Sequence, residues 1–333
     1  NIRDTKTMNT PTKSGSKLPS TDQQQLRDYL KASTSDNTRK TYRSALKQFE
    51  KWGGRLPCSA DELVGYLLAR VNELNPRTLD LHLTAISQWH LYQGINDPVR
   101  SLLVRKTMEG IRRRHGRPPQ KARALRLEQL VQLLQHLQSQ PASLSRTRNE
   151  ALLLVAFLGA FRRSELVAIQ VEDLAFEPEG VLIRLPRSKT DQAGEGLIRA
   201  LPRGIGLCCP VQALQAWLAA SAIRTGPVFR GINRWGHLQP KALNPAAINE
   251  LLKNLGSACG FDFVPELSSH SFRRGMSTSA ARANVPFEQI RKQGGWKTDA
   301  TVRQYIDEGR QLEDNAAITL LERMAALYGR NGE

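Results

Sequence analysis

Three separated stretches of the chain carry side chains suited to chemistry at a phosphate ester. Leu158-Gly159-Ala160-Phe161-Arg162-Arg163-Ser164-Glu165-Leu166 offers two adjacent arginines. His270-Ser271-Phe272-Arg273 adds an imidazole and a further arginine. Gly295-Trp296, followed nine residues later by Tyr305, adds an indole N–H and a phenol. Arginine presents a planar fork of N–H donors that fits phosphate oxygens and keeps its charge at any physiological pH. Two such forks can neutralise the charge that builds on a phosphate during substitution. Histidine exchanges a proton near neutrality, and a tyrosine that loses its proton is a covalent nucleophile. Singly, these groups are ordinary. Arg before Ser-Glu-Leu often opens a helix, and His-x-x-Arg on one helix is often structural. Gly-Trp often marks a turn beside a core aromatic, and a Tyr near a chain end usually packs. Their joint order gives them weight.

The elements that must position these groups are mostly helical. The stretch Asn37 to Phe49 puts Tyr42, Leu46 and Phe49 on one face and Arg39, Lys40, Arg43 and Lys47 elsewhere. A second helix opens at Asn75-Pro76, with Pro at its first position. It turns Leu79, Leu83 and Ile86 inward and leaves Arg77, His82, Gln88 and His90 for other faces. Residues 21–114 therefore read as a helical domain. Pro118 and Pro119 interrupt any helix, so 115–124 reads as a basic linker and 125–333 as a second domain. There, Leu127, Leu130, Leu134 and Leu137 keep helical spacing, and Ala151 to Gly159 is apolar all round, as in a buried helix. The two clear strands are 181–185 and 197–201, joined by the turn-rich 186–196 into a hairpin. Helices follow at 246–255, stopped by Gly256, and at 287–293, stopped by Gly294-Gly295. A short helix that Thr298 could cap precedes a last apolar helix over 312–328. The fold class is mainly α in two domains, the second α-rich with a small antiparallel β-sheet.

Charge points to the partner. The 333 residues carry a net +17, which attracts polyanions by sequence-independent contacts. From Arg100 to Arg126 there are ten Lys or Arg against one acid, Glu109, so more than half the excess sits in 27 residues. A nucleic acid fits this clustering better than a ribosomal or membrane-surface partner does. The four cysteines form no CxxC pair, so neither a metal site nor a disulfide framework is expected, and a reducing cytosol fits. Residues 1–20 lack an apolar core for a signal peptide and read as a disordered leader; no run is long enough to span a membrane.

Taken together, the three boxes resemble the signature of the tyrosine recombinase, or phage integrase-like, family. That signature runs Arg-x-Ser/Ala-Glu-Leu/Ile, a Lys in a β-hairpin, His-x-x-Arg, a Gly-His or Gly-Trp box, and a Tyr nine residues on. Here these fall on Arg162 to Leu166, Lys189, His270 with Arg273, Gly295-Trp296 and Tyr305. The pattern selects Arg162 over Arg163 and Arg273 over Arg274. Trp296 replaces the commoner His, and indole only donates a hydrogen bond.

The resemblance implies a helical core-binding domain at 21–114 and a catalytic domain at 125–333. Tyr305 would attack a DNA phosphate to give a 3′-phosphotyrosyl link and a free 5′-hydroxyl. Arg162 and Arg273 would hold the non-bridging oxygens, Trp296 would add a donor, and Lys189 would protonate the departing 5′-oxygen. His270 would manage the nucleophile's proton, and Glu165 would orient Arg162. No metal, ATP or other cofactor is implied. Arg39, Lys40, Arg43, Arg77 and His82 become candidates for groove contacts, and Arg112, Arg113, Arg114 and Arg117 for phosphate contacts. The implied partners are double-stranded DNA with an inverted-repeat target and three further copies of the chain, a homotetramer joined through helix 312–328. The implied setting is the bacterial cytoplasm, on the nucleoid or a mobile element. Two alternatives stay open: a type IB topoisomerase-like relaxing enzyme and a non-catalytic DNA-binding regulator.

Overall fold

The computed structural model describes residues 25, 28, 29, 33–118, 120–185, 196–310 and 316–330. The expected leader and the hairpin turn with Lys189 lie outside the described residues. The chain divides into two units, Asn1–Pro119 and Gln120–Glu333.

In the first unit, helix starts are written in the sequence. Helices α1 (Asp36–Trp52), α2 (Ala60–Arg70), α3 (Pro76–Tyr92) and α4 (Leu102–His115) begin after Ser35, Ser59, Asn75 and Ser101. Each cap's side-chain oxygen accepts a backbone N–H that the first turn leaves free, a bond worth about 1 kcal/mol. Gly53 ends α1 at φ +116°, a conformation that suits a residue without Cβ. Phe49, Leu63, Tyr66, Leu67, Leu79, Ile86, Val104 and Met108 fill the core.

One face of α3 corrects the sequence reading. His82 and His90 are both buried. Tyr66 Oη and His82 Nδ1 lie 2.6 Å apart, and the Cys58 N–H donates to His90 Nε2 at 3.1 Å. Positions 79, 82, 83, 86 and 90 share one helical face, so both imidazoles follow the leucines inward. His82 is thus a core residue and no candidate for DNA contact.

The second unit is built around α6 (Leu144–Leu158), buried at every position from Ala151 to Phe157. It packs against α5 (Leu127–Ser139), α8 (Pro210–Ser221) and α10 (His270–Arg282). The short α7 (Arg163–Ala168) leads into an antiparallel sheet of β1 (Leu174–Glu177), β2 (Gly180–Leu185) and β3 (Leu197–Pro202), with Val181 opposite Leu201. A second hairpin joins β4 (Arg230–Ile232) to β5 (Leu238–Ala242). After α9 (Pro245–Ala258) and α10 come α11 (Phe287–Gly294), α12 (Asp299–Arg310) and α13 (Ala316–Arg330). The sequence missed β1, β4, β5 and α8. It also ended α9 too early: Gly256 lies inside the helix, where a Cβ would come within 2.8 Å of Leu267 Cδ1. No described helix is long and apolar enough to cross a membrane.

Candidate active site

The first box forms the turn into α7. Ala160 adopts φ +46°, and Arg162 is the residue before the helix. Three positions on, the buried carboxylate of Glu165 accepts the Arg162 N–H at Oε2 (2.9 Å) and Arg162 Nη1–H at Oε1 (2.5 Å). The half-buried guanidinium is thereby fixed in direction by an acid that is almost wholly out of water. Arg163 is exposed beside it.

Arg273, on the first turns of α10, reaches both other boxes. Its Nη1–H donates to the Ala160 carbonyl and its Nη2–H to the Gly294 carbonyl at 3.0 Å. Its guanidinium carbon lies 4.6 Å from the Trp296 ring centroid, within cation–π range. No carboxylate pairs with it among the described residues. Burial, reinforced by Arg162 and Arg199, lowers its pKa to about 10, with Glu165 and Tyr305 opposing. It stays charged at neutral pH, with Glu165 the acid that acts on it and no carboxylate in direct contact among the described residues.

Trp296 is buried just after Gly295, whose φ of +59° turns the chain at the end of α11. The indole N–H has no partner among the described residues. The Trp296 and Tyr305 ring centroids lie 5.7 Å apart, tilted by 60°. Tyr305, in the middle of α12, is half-buried, and the Arg274 guanidinium lies 5.5 Å from its ring centroid. Tyr305, His270, Arg274, Gln304 and Lys121 line an open groove of about 440 Å³. One turn beyond Tyr305, Glu308 pairs with Arg274 and, at 3.1 Å, with Lys121.

His270 starts α10 at the mouth of this groove. The residue is exposed, yet its ring is partly desolvated and feels the charge of four arginines. Burial first, then Arg273, Arg163, Arg162 and Arg274, pushes its pKa below the ordinary imidazole value. The ring is neutral at pH 7 and free to accept a proton.

Arg162, Glu165, His270, Arg273, Trp296 and Tyr305 therefore meet in one site, and Lys189 lies outside the described residues. The chemistry on offer is an anion cradle with a phenol at its edge. Residues 123–311 match the phage integrase family. The chain belongs to that family. It is a tyrosine recombinase, an enzyme that cuts and rejoins DNA at specific sites. It is 35% identical over 296 residues to an integrase/recombinase, a XerD homolog, of Selenomonas ruminantium, covering 86% of each chain. Against recombinase Cre of Escherichia phage P1 the identity is 26% over 289 residues, 82% of this chain and 81% of that one. Among solved structures, XerH recombinase bound to its palindromic difH substrate superposes with a TM-score of 0.61 at 16% identity, over 94% of this chain and 86% of that one. A lambda integrase dimer on a core site gives 0.58 at 16% identity, over 85% and 74%. These two likenesses show the fold. Residues 21–39 alone also match an erythronolide synthase docking domain, a stretch too short to carry a fold.

In this recombinase the groove candidates of the first unit separate. Lys40, Arg43 and Arg77 are exposed, while Arg39 is partly covered and pairs with Asp36. Arg112 is held by Asp80 through two bonds of 2.8 and 3.0 Å, and Arg113 by Glu109 at 2.7 Å. Arg114 and Arg117 are exposed with no acidic partner among the described residues. One buried cation of the site escaped the sequence reading. Arg199 on β3 donates Nη1–H to the Lys292 carbonyl (3.0 Å) and Nη2–H to the Gly294 carbonyl (2.7 Å). Position 199 falls on the inward side of a strand that alternates buried and exposed residues, but with Ile198 on the outward side the sequence does not tell which face is buried.

Proposed function

We propose that the anion cradle holds the scissile phosphate and that Tyr305 is the nucleophile. The observation that carries this reading is Arg273, a buried guanidinium with no carboxylate paired to it among the described residues, seated between Ala160, Gly294 and Trp296. Such an environment lacks an anion, and a phosphate diester supplies one. Arg273 keeps three N–H groups beyond the two bound to carbonyls, and Arg162 is aimed by Glu165. Together they take the non-bridging oxygens, and the free Trp296 N–H donates a further bond. The Tyr305 oxygen attacks phosphorus as the bond to the 5′-oxygen breaks. Neutral His270 receives the phenol's proton, and Lys189 gives a proton to the leaving oxygen. The phosphotyrosyl link conserves the ester's energy, so attack by a 5′-hydroxyl from the second duplex rejoins the strand.

The target we propose is a two-fold DNA site in the bacterial cytosol. Exposed Lys40, Arg43 and Arg77 serve the groove, and Arg114 and Arg117 the phosphates. Each subunit has one nucleophile and an exchange needs four cuts, so four copies assemble. Helix α13 supports this: Leu321, Met324, Leu327 and Tyr328 are each more than half exposed on it. An apolar helix left exposed by the described residues of its own subunit fits a ring in which each copy hands its helix to the next. A topoisomerase acting alone has no such need.

The test is covalent adduct formation on a nicked duplex carrying the target. Tyr305→Phe removes one oxygen, so the adduct is expected to vanish while DNA binding stays within about threefold of wild type. An adduct that survives in Tyr305→Phe would overturn the assignment.

A further inference from the structure

We propose that Arg199 is a positioning residue for strand cleavage. It holds the Lys292-to-Trp296 turn so that the Arg273 fork and the Trp296 indole face the phosphate. The inference rests on the cradle described above and goes beyond it, since the bonds that Arg199 makes go to the backbone carbonyls of Lys292 and Gly294.

Its surroundings argue for a dedicated task. Arg199 is 1% exposed and has no carboxylate partner among the described residues. A charged side chain so deep in a fold is rare unless something repays its desolvation. What Arg199 meets is the carbonyl end of α11, the negative end of its dipole, where Lys292 O also accepts the Gly295 N–H at 3.1 Å. Lys292 O and Gly294 O each take one arm of the fork. Gly294 O also accepts from Arg273 Nη2. One carbonyl thus lies between two guanidiniums, and its position sets the orientation of both. The next residue leaves no slack: a Cβ on Gly295 would come within 2.5 Å of Arg199 Nη2. Gln293 adds a second tie, its side chain donating to Leu158 O at 2.7 Å and to Ala200 O at 3.2 Å. Arg199 Nε is buried without a partner among the described residues. A core chosen for stability alone would not keep that N–H. The strand matters as well. β3 continues directly from the segment containing Lys189, so Arg199 ties the strand after the proposed general acid to the turn beneath the proposed anion cradle.

A hydrophobic replacement can fill the space and still leave the turn free to rotate, so the inference separates from simple packing. The experiment measures single-turnover adduct formation at saturating DNA, DNA affinity and thermal midpoint. The variants are Arg199→Met, Arg199→Lys, Arg273→Lys and the Arg199→Met/Arg273→Lys double. Arg199→Met is expected to lose on the order of a hundredfold in cleavage rate, with affinity changed less than about threefold. Lys keeps the charge without the fork and is expected to lose about tenfold. In the Arg273→Lys background, adding Arg199→Met should cost less than about threefold, because the group it positions is already compromised. Three results overturn the inference: a cleavage rate unchanged in Arg199→Met, losses that multiply in the double variant, or a Lys variant as fast as wild type. If Arg199→Met does not fold, the Arg199→Lys single and its double with Arg273→Lys decide the same question. Wild-type protein that forms no adduct at all sinks the proposed function. Wild-type adducts beside full activity in the Arg199 variants sink this inference alone.

Discussion

Histidine 270 shows how a residue's neighbours set its working pH. Burial first, then four guanidiniums, favour its neutral form, so its pKa lies below the ordinary value of 6.5. Cleavage at saturating DNA is therefore expected to fall on the acid side of the ordinary imidazole range, as the ring takes up a proton that blocks its role as acceptor. His270→Gln should be slow throughout and lack that acid limb. Stability follows with a definite sign. The folded state binds the proton more weakly than the unfolded chain does, so falling pH below about 6.5 favours unfolding through this group. Thermal midpoints of wild type and His270→Gln across pH 5–8 should diverge only in the acid range. The residue scale was also where the sequence was most legible. Arg162, His270, Arg273, Trp296 and Tyr305, picked out by their resemblance to the family signature, converge because each sits at a helix start, a turn or a helix face. Arg199 was not found, since one arginine in a short strand resembles a solvated one until its neighbours are known. His82 failed for the opposite reason: a polar type masked its place on an apolar stripe.

At the scale of elements, α4 separates two uses of basic charge. Arg112 braces α4 against Asp80 of α3, whereas Arg114, in the last turn of α4, and Arg117, beyond its end, have no acidic partner among the described residues. Arg114→Ala and Arg117→Ala should each flatten the dependence of log affinity on log salt by about one unit, equally on target and unrelated DNA. Arg112→Ala should instead mainly lower the thermal midpoint of the first unit. Filter binding from 50 to 300 mM salt checks both, and unchanged slopes at Arg114 and Arg117 would reduce that run to a solvated face. The elements missed in the sequence share a physical cause. β1 exposes three of its four residues, and β5 contains Pro240, so neither shows clean alternation. α8 starts on Pro210 after a cysteine cap, and it mixes alanines with Val211, Leu214 and Trp217, which blurs its stripe. Gly256 looked like a stop because glycine usually ends helices. Here its missing side chain makes room for Leu267.

For the molecule as a whole, Pro118, Pro119 and the basic run around them suggest a linker over 115–124, and the two units divide between Pro119 and Gln120, but the cover of α13 has no such sign in the sequence. Periodicity reveals an apolar face without revealing what lies on it. Deleting residues 312–333 should leave binding to a single half-site intact and abolish cooperative filling of the paired site. Native gels on one and two half-sites check this. A truncated protein that fills the paired site cooperatively, or that unfolds, would place the helix in its own subunit's core. The same exposed helix has a colloidal consequence. Before DNA is present, the net +17 keeps copies apart by mutual repulsion. Raising ionic strength to about 1 M shrinks the screening length to roughly 3 Å and removes that protection, while apolar attraction persists. Concentrated stocks in strong salt should therefore show reversible clustering by light scattering, driven by Leu321, Met324, Leu327 and Tyr328. The high-salt buffers that strip nucleic acid from such a basic protein are the ones in which α13 becomes adhesive.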